Sequence, residues 1–318
     1  APSSLLSTSD LRRTQRPSHA QMPATPHGAR PMTDHAATFH TLHSGPEVLI
    51  LPNAWDAASA ALMAGAGAKA VATSSAAVAW AQGYPDGDAL PVSRLIAVTR
   101  DVVRVTNLPV TADIEGGYTD DLASLAETIR QVVGAGAVGI NLEDGLRAPD
   151  LHARKIAAAR VAADAEGVAL YINARTDIYL RDLAQGEAAL PETLRRAALY
   201  LDAGASGIFV PGPADETVIG ALADGIKAPL NIMLRPTTPA AQHLAALGGR
   251  RLSSATAPFR AAYGALVEAL PGYLETGTFG PFAGRGQVPD LDAVFGSRGM
   301  AEPSDALDPQ GLLYSCLC

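Results

Sequence analysis

The chain is poor in cysteine, in aromatic residues and in long apolar runs, and each shortage closes off a class of protein. Its 318 residues hold two cysteines, Cys316 and Cys318, both among the last three positions. They are too close together and too terminal to staple a core, so a disulfide framework is not expected and a reducing cytoplasm is the expected compartment. Chemistry that needs a cysteine acid or nucleophile inside the fold is excluded with it. Aromatic residues are only 5% of the chain, so its 48% hydrophobic content comes mainly from Ala, Val, Leu and Ile. No apolar run is long enough to cross a bilayer; the stretch 132–140 is short and broken by glycines. Positive charge is also scarce, at a net −8, which argues against nucleic acid or an anionic membrane as partner.

What is present divides into three parts. Residues 1–44 are rich in Ser, Pro, Arg, Thr and His and lack apolar periodicity, so a disordered extension is expected there. Five of the seven histidines fall in it, at irregular spacing that does not suggest a metal site. Met32-Thr33-Asp34 resembles a natural start, which would make residues 1–31 an upstream extension. Residues 285–318 are expected to be a loop-like tail. Between them, residues 45–284 alternate short β-rich runs with longer Ala-rich stretches. Strands are expected at 48–51, 70–73, 110–114, 139–142, 170–173, 207–210, 230–233 and 251–253, and helices at 57–66, 92–106, 122–134, 151–165, 191–203, 215–224, 239–247 and 257–270. Eight such βα units make one (β/α)8 TIM barrel of the α/β class. An open doubly wound sheet is the competing fold, but Asn53-Ala54-Trp55-Asp56 stands where its Gly-x-Gly-x-x-Gly signature belongs.

In a barrel, chemistry sits at the carboxyl ends of the strands. The most informative such end is Asp113-Ile114-Glu115-Gly116-Gly117-Tyr118: two carboxylates two residues apart, hence on one face, followed by glycines that let the backbone turn close to a ligand. The other ends supply Asn53, Trp55 and Asp56; Thr73, Ser74 and Ser75; Asn141, Glu143 and Asp144; Asn173, Arg175 and Asp177; and Ser253 and Ser254, while the seventh strand begins around Asn231. Acids from three strand ends and one arginine converge on one mouth. Without a cation such carboxylates would repel one another, so the constellation itself argues for a metal.

These residues resemble a known family. Asn53-Ala54-Trp55-Asp56, Thr73-Ser74-Ser75, Gly83-Tyr84-Pro85-Asp86-Gly87, the Asp113–Tyr118 segment, Asn141-Leu142-Glu143-Asp144-Gly145 and Asn173-Ala174-Arg175-Thr176-Asp177 are similar, in order, to motifs of the isocitrate lyase/phosphoenolpyruvate mutase superfamily. The resemblance runs from about residue 49 to residue 263. It implies a barrel of the phosphoenolpyruvate mutase type that uses Mg²⁺, with Mn²⁺ as the alternative ion, on 2-oxo acids through an enolate. Asp113 would be the direct metal ligand, with Glu115, Asp86 and Glu143 holding its waters. Backbone amides around Ser74, Ser75 and Ala76 would hold the substrate's anionic end, and Arg175 would clamp its carboxylate, where a bidentate guanidinium outperforms lysine. Tyr84 and Tyr118 are candidate proton carriers, and Trp55 and Asn231 candidate substrate contacts. The resemblance further implies a homodimer or homotetramer that exchanges the last barrel helix.

Each residue also has a plainer reading. Asp56 would cap a helix, Asp177 would orient Arg175, Asp144 would face away from Glu143 and join loops, and Trp55 would pack. Departures from the family narrow the reaction. The superfamily's isocitrate and methylisocitrate lyases carry a Lys-Lys/Arg-Cys-Gly-His segment on a mobile loop after the fourth strand, and its phosphonate mutases place Lys and Asn there. Here that loop reads Gly145-Leu146-Arg147-Ala148-Pro149-Asp150. The expected activity is therefore a Mg²⁺-assisted C–C lyase or decarboxylase acting on a small 2-oxo or 2-hydroxy di-acid. The alternatives are a phosphonate-type C–P mutase or hydrolase, and a barrel that binds 2-oxo acids without turnover.

Overall fold

A computed structural model of the chain describes residues 32–213, 215–284 and 288–296. Nine short parallel strands form one sheet that curls into a nearly closed barrel. They are β1 (Leu49–Leu51), β2 (Asn53–Ala54), β3 (Val71–Thr73), β4 (Val110–Asp113), β5 (Gly139–Glu143), β6 (Tyr171–Arg175), β7 (Gly207–Val210), β8 (Leu230–Met233) and β9 (Gly249–Ser253). The extra strand over the expected eight comes from Pro52, which has no N–H to give a ladder. The segment before it pairs with β9 and the segment after it with β3, so one interrupted strand serves both neighbours and closes the ring.

The helices are α1 (Met32–Leu42), α2 (Ala57–Gly65), α3 (Ser75–Ala81), α4 (Val92–Val105), α5 (Leu122–Gly134), α6 (Pro149–Ala165), α7 (Ala189–Asp202), α8 (Glu216–Gly225), α9 (Ala241–Ala246), α10 (Ala257–Thr276) and α11 (Leu291–Gly296). Helix α5 shows why the pattern folds as it does. The Asp121 side chain accepts the Ser124 amide at 2.8 Å and caps its start. Leu125, Ile129, Val132 and Val133 recur on one face and are all buried. Each such side chain removed from water contributes about 1.5–3 kcal/mol. The Ala-Gly-Ala after it turns the chain directly into the next strand, with Gly136 at φ 96°.

Four expectations change. Helix α1 lies within the segment expected to be disordered, and its Ala36 and Phe39 are buried. It plugs the amino-terminal end of the barrel: Phe39 meets the Tyr171 ring edge-on at 5.4 Å, and His43 stacks on it at 4.0 Å. The extension expected at 1–31 and most of the tail expected at 285–318 lie outside the described residues, although α11 forms within that tail. Helix α3 was not expected, because the Ser74–Ala81 stretch reads as part of a loop until Ser74 is seen to cap it. Helix α10 runs through Pro271 to Thr276 and stops at Gly277, whose φ of 62° makes it the better terminator.

Candidate active site at the barrel mouth

Asp113, Glu143 and Arg175 are the last residues of three adjacent strands. The parallel register sets Asp113 opposite Asn141 and Glu143 opposite Arg175. Asp113 is buried; its carboxylate accepts the Glu115 amide at 3.2 Å and Asn141 Nδ2 at 3.3 Å. Burial pushes its pKa above the carboxylate range, against the pull of Arg175 and these hydrogen bonds and with a push from Asp86. Glu143 faces Arg175 Nη1 at 2.6 Å. Burial raises its pKa to about 8 in spite of Arg175, helped by Asp177 and Asp113. Burial likewise lifts Glu115 to about 7, where the Asp88 amide opposes and the charges of Asp86, Asp113 and Asp88 assist.

Arg175 owes its aim to Asp177, which accepts Nε at 2.6 Å and Nη2 at 3.1 Å, a bidentate fork. Asp177 also accepts Arg181 Nε at 2.8 Å. Asp144, next to Glu143 but on the opposite face of β5, is fully buried. Its Oδ1 accepts the Asp177 amide at 2.9 Å, and its Oδ2 accepts Arg196 Nη1 at 2.8 Å and Tyr200 Oη at 2.7 Å.

The two loops over the mouth are tied reciprocally. Glu115 Oε2 accepts the amides of Gly87 (2.8 Å) and Asp88, while Asp88 Oδ1 accepts those of Gly116 (3.2 Å) and Tyr118 (3.1 Å). Asp88, Glu115 and Tyr118 all adopt left-handed backbone, at φ 60°, 50° and 60°. Such conformations cost of order 1–3 kcal/mol each and persist where the surroundings over-determine them. Asp88 Oδ2 receives Arg147 Nη2 at 2.7 Å, and Arg147 Nε reaches Asp120 at 2.6 Å, where buried Lys155 joins at 2.9 Å.

The remaining predicted residues find varied places. Asp86 stands exposed at the rim, and Tyr84 lies half-buried with Arg94 5.6 Å above its ring. The Tyr118 hydroxyl donates to Glu115 Oε1 at 3.2 Å, and burial together with Glu115 raises its pKa, so it holds its proton firmly. Ser74 caps α3, leaving the Ser75 and Ala76 amides at a helix start without intrahelical partners. Trp55 packs edge-on against Phe259 at 5.3 Å, and Asp56 forms a capping box with Ser59. Asn231, expected to touch substrate, instead spends its amide inside the barrel on Ile232 O, Ser253 Oγ and, as acceptor, Asn173. Sequence reasoning missed Asp88, Arg147 and Arg251. Asp88 directly follows Asp86-Gly87, and aspartate tolerates left-handed backbone, which was a signal. Arg251 is fully buried on β9, with Nη2 on Asn141 Oδ1 at 3.1 Å, and nothing in a β-rich run announces it.

Comparison with known proteins agrees with this architecture. The sequence profile of the phosphoenolpyruvate phosphomutase family matches residues 39–273. The chain therefore belongs to that family, and with it to the isocitrate lyase/phosphoenolpyruvate mutase superfamily of enzymes. Among solved structures it is similar to a Burkholderia cenocepacia J2315 protein provisionally described as a phosphonomutase. The two are 41% identical over 75% of this chain and 99% of the other, with a TM-score of 0.72. It is 35% identical to an uncharacterised protein of Mycobacterium tuberculosis over 70% of this chain and 84% of that one. It is 30% identical to the 2-methylisocitrate lyase of Bacillus subtilis (strain 168), over 61% of this chain and 65% of the other.

Proposed function

We propose that the chain is a Mg²⁺-dependent lyase or decarboxylase that cleaves a C–C bond of a small 2-oxo or 2-hydroxy di-acid through an enolate. The observation that carries this reading is the row Asp113, Glu143, Arg175 on three neighbouring strand ends, with both acids held above the carboxylate range by burial. The donor set suits Mg²⁺, because every group is a hard oxygen and mutually repelling acids are relieved by a cation. Among the described residues, no three acids, histidines or cysteines close on one point as ligands. Asp113 would then be the direct ligand, with Glu143, Asp86 and Glu115 a water away, an arrangement Mg²⁺ accepts because it dehydrates reluctantly. The ion, when bound, would neutralise charge developing on the substrate's keto oxygen.

The chain's own groups do the rest. Arg175, pre-aimed by Asp177, would take the carboxylate next to the reacting carbon with the N–H groups its partners leave over. The Ser75 and Ala76 amides would share that same carboxylate. Tyr118, which keeps its proton, serves as a hydrogen-bond donor, and Tyr84 or water would deliver the proton. The apolar, exposed outer half of α10, with Val267 and Leu274 66% and 78% exposed, supports assembly of a homodimer or homotetramer through that helix. No helix among the described residues is long and apolar enough to cross a membrane, and the cysteine-free body supports a cytoplasmic enzyme.

Incubation with Mg²⁺ and a panel of 2-oxo and 2-hydroxy di-acids should release pyruvate or CO₂, and chelation should stop it. The Burkholderia relative favours phosphonate chemistry as a second reading, and phosphonopyruvate turnover followed by ³¹P NMR would establish it in place of the first. Ligand-induced stabilisation without turnover across the panel would overturn both in favour of a binding barrel.

A further inference from the structure

Arg147 lies on the loop between β5 and α6, which is only a few residues long because Pro149 starts the helix at once. Two of its nitrogens are committed: Nε to Asp120 and Nη2 to Asp88. The third, Nη1, makes no hydrogen bond within the described residues. The guanidinium lies flat on Gly116, where a Cβ would come within 2.0 Å of Nη1 and 2.5 Å of Cζ. Gly116 is thus the residue that lets a cation rest on the loop between Asp113 and Tyr118. A Cβ on Gly145 would lie 3.8 Å from both Arg147 Nη1 and Glu143 Oε1, so the uncommitted nitrogen and the Glu143 carboxylate flank the same glycine. The side chain is 23% exposed, open enough to be reached and tied down enough to keep its aim.

We propose that Arg147 is a specificity-determining residue that binds the distal carboxylate of a dianionic substrate. This rests on the proposed Mg²⁺-dependent site, which would take the chelating 2-oxo head while Arg147 takes the far end. Arg175 and the ion balance one negative charge of the ligand beside the acids of the mouth. A second carboxylate needs a second cation, and Arg147 is held ready by carboxylates that spare Nη1. Because Asp88 and Asp120 fix the fork in advance, little side-chain entropy is lost on binding.

The test measures binding in the presence of Mg²⁺, by calorimetry, of oxalate, which carries the chelating head alone, and of a series of 2-oxo di-acids from oxaloacetate to 2-oxoadipate. Arg147→Gln should leave oxalate affinity within about twofold and weaken the best-bound di-acid about tenfold or more, the loss expected for a charge-assisted hydrogen bond. Arg147→Lys, which keeps the charge but not the fork, should fall between, with its melting temperature close to that of the parent protein. Equal weakening of oxalate and di-acid, or no weakening of either, overturns the role of Arg147 while leaving the active-site reading intact. If the unaltered protein binds neither oxalate nor any di-acid with Mg²⁺, the active-site reading itself fails and the proposal falls with it.

Discussion

Glu143 and Asp144 are neighbours in sequence and both are buried acids, yet they live in different proteins in all but name. Glu143 faces the barrel interior, shares its surroundings with Asp113 and Asp177, and is held up at about 8 by burial. Asp144 faces the belt between barrel and helices, where an amide, a guanidinium and a phenol fill its lone pairs. One acid is left electrostatically unhappy and the other is saturated. The period of a β-strand makes the difference, since adjacent side chains point to opposite faces. A carboxylate whose lone pairs its own protein fills builds structure; one that burial holds above its ordinary pKa even beside Arg175 is available for chemistry.

The comparison is broken most severely by removing the saturated acid. Asp144→Ala takes one of its two acids from Arg196, which keeps Glu192, and leaves the Asp177 amide and the Tyr200 hydroxyl without their acceptor, so unfolding in urea should show a loss of about 3–5 kcal/mol, the cost of breaking a buried ion-pair network on one side. Retention of full stability would show that the belt network contributes nothing. The converse substitution, Glu143→Gln, should cost turnover about 10²–10³-fold, as the loss of one pre-organised electrostatic group does, with urea stability held or raised at neutral pH. A variant that unfolds instead would erase the distinction between the two acids.

The pH dependence sharpens the contrast. Glu143 and Glu115 hold protons more tightly in the folded chain, at about 8 and about 7, than at their ordinary value of 4.5. Their contribution to stability is therefore full below pH about 4.5 and fades as pH rises through 7 and 8. The metal-free protein should melt at progressively lower temperature across that window, Mg²⁺ should reduce the decline, and Glu143→Gln should flatten its upper part. A melting temperature that is constant, or climbs, over that range would contradict the assignment. The smallest effect is expected away from both acids. Asp56→Ala, which removes the α2 capping box, should cost about 1 kcal/mol in thermal unfolding and leave turnover unchanged.

Much of the architecture was legible because it follows local rules. The strand at 139–142 and the helix at 122–134 appear almost as written, since period-2 and period-3.6 patterns and the Ala-Gly-Ala turns are sequence-local. The same alternation put Asp113, Glu143 and Arg175 in one row. What the sequence hid depends on partners far along the chain. Asp88 takes its meaning from the amides of Gly116 and Tyr118, and Arg147 from Asp88 and Asp120. Asn231, expected to be a substrate contact although a strand begins there, is placed within the barrel by its register beside Arg251 near the start of β8. Helix α1 hid for another reason: its short apolar face has a weak period, and Phe39 is meaningful only when seen against Gly139, whose missing Cβ makes room for its ring.

That plug gives the barrel a closed bottom. With Phe39 against Gly139 and the Tyr171 hydroxyl close over Gly207, the amino-terminal end of the described barrel is filled by side chains, while Asp113, Glu143 and Arg175 stand at the carboxyl side. Any ligand passing through that end would have to displace the Phe39 ring from Gly139.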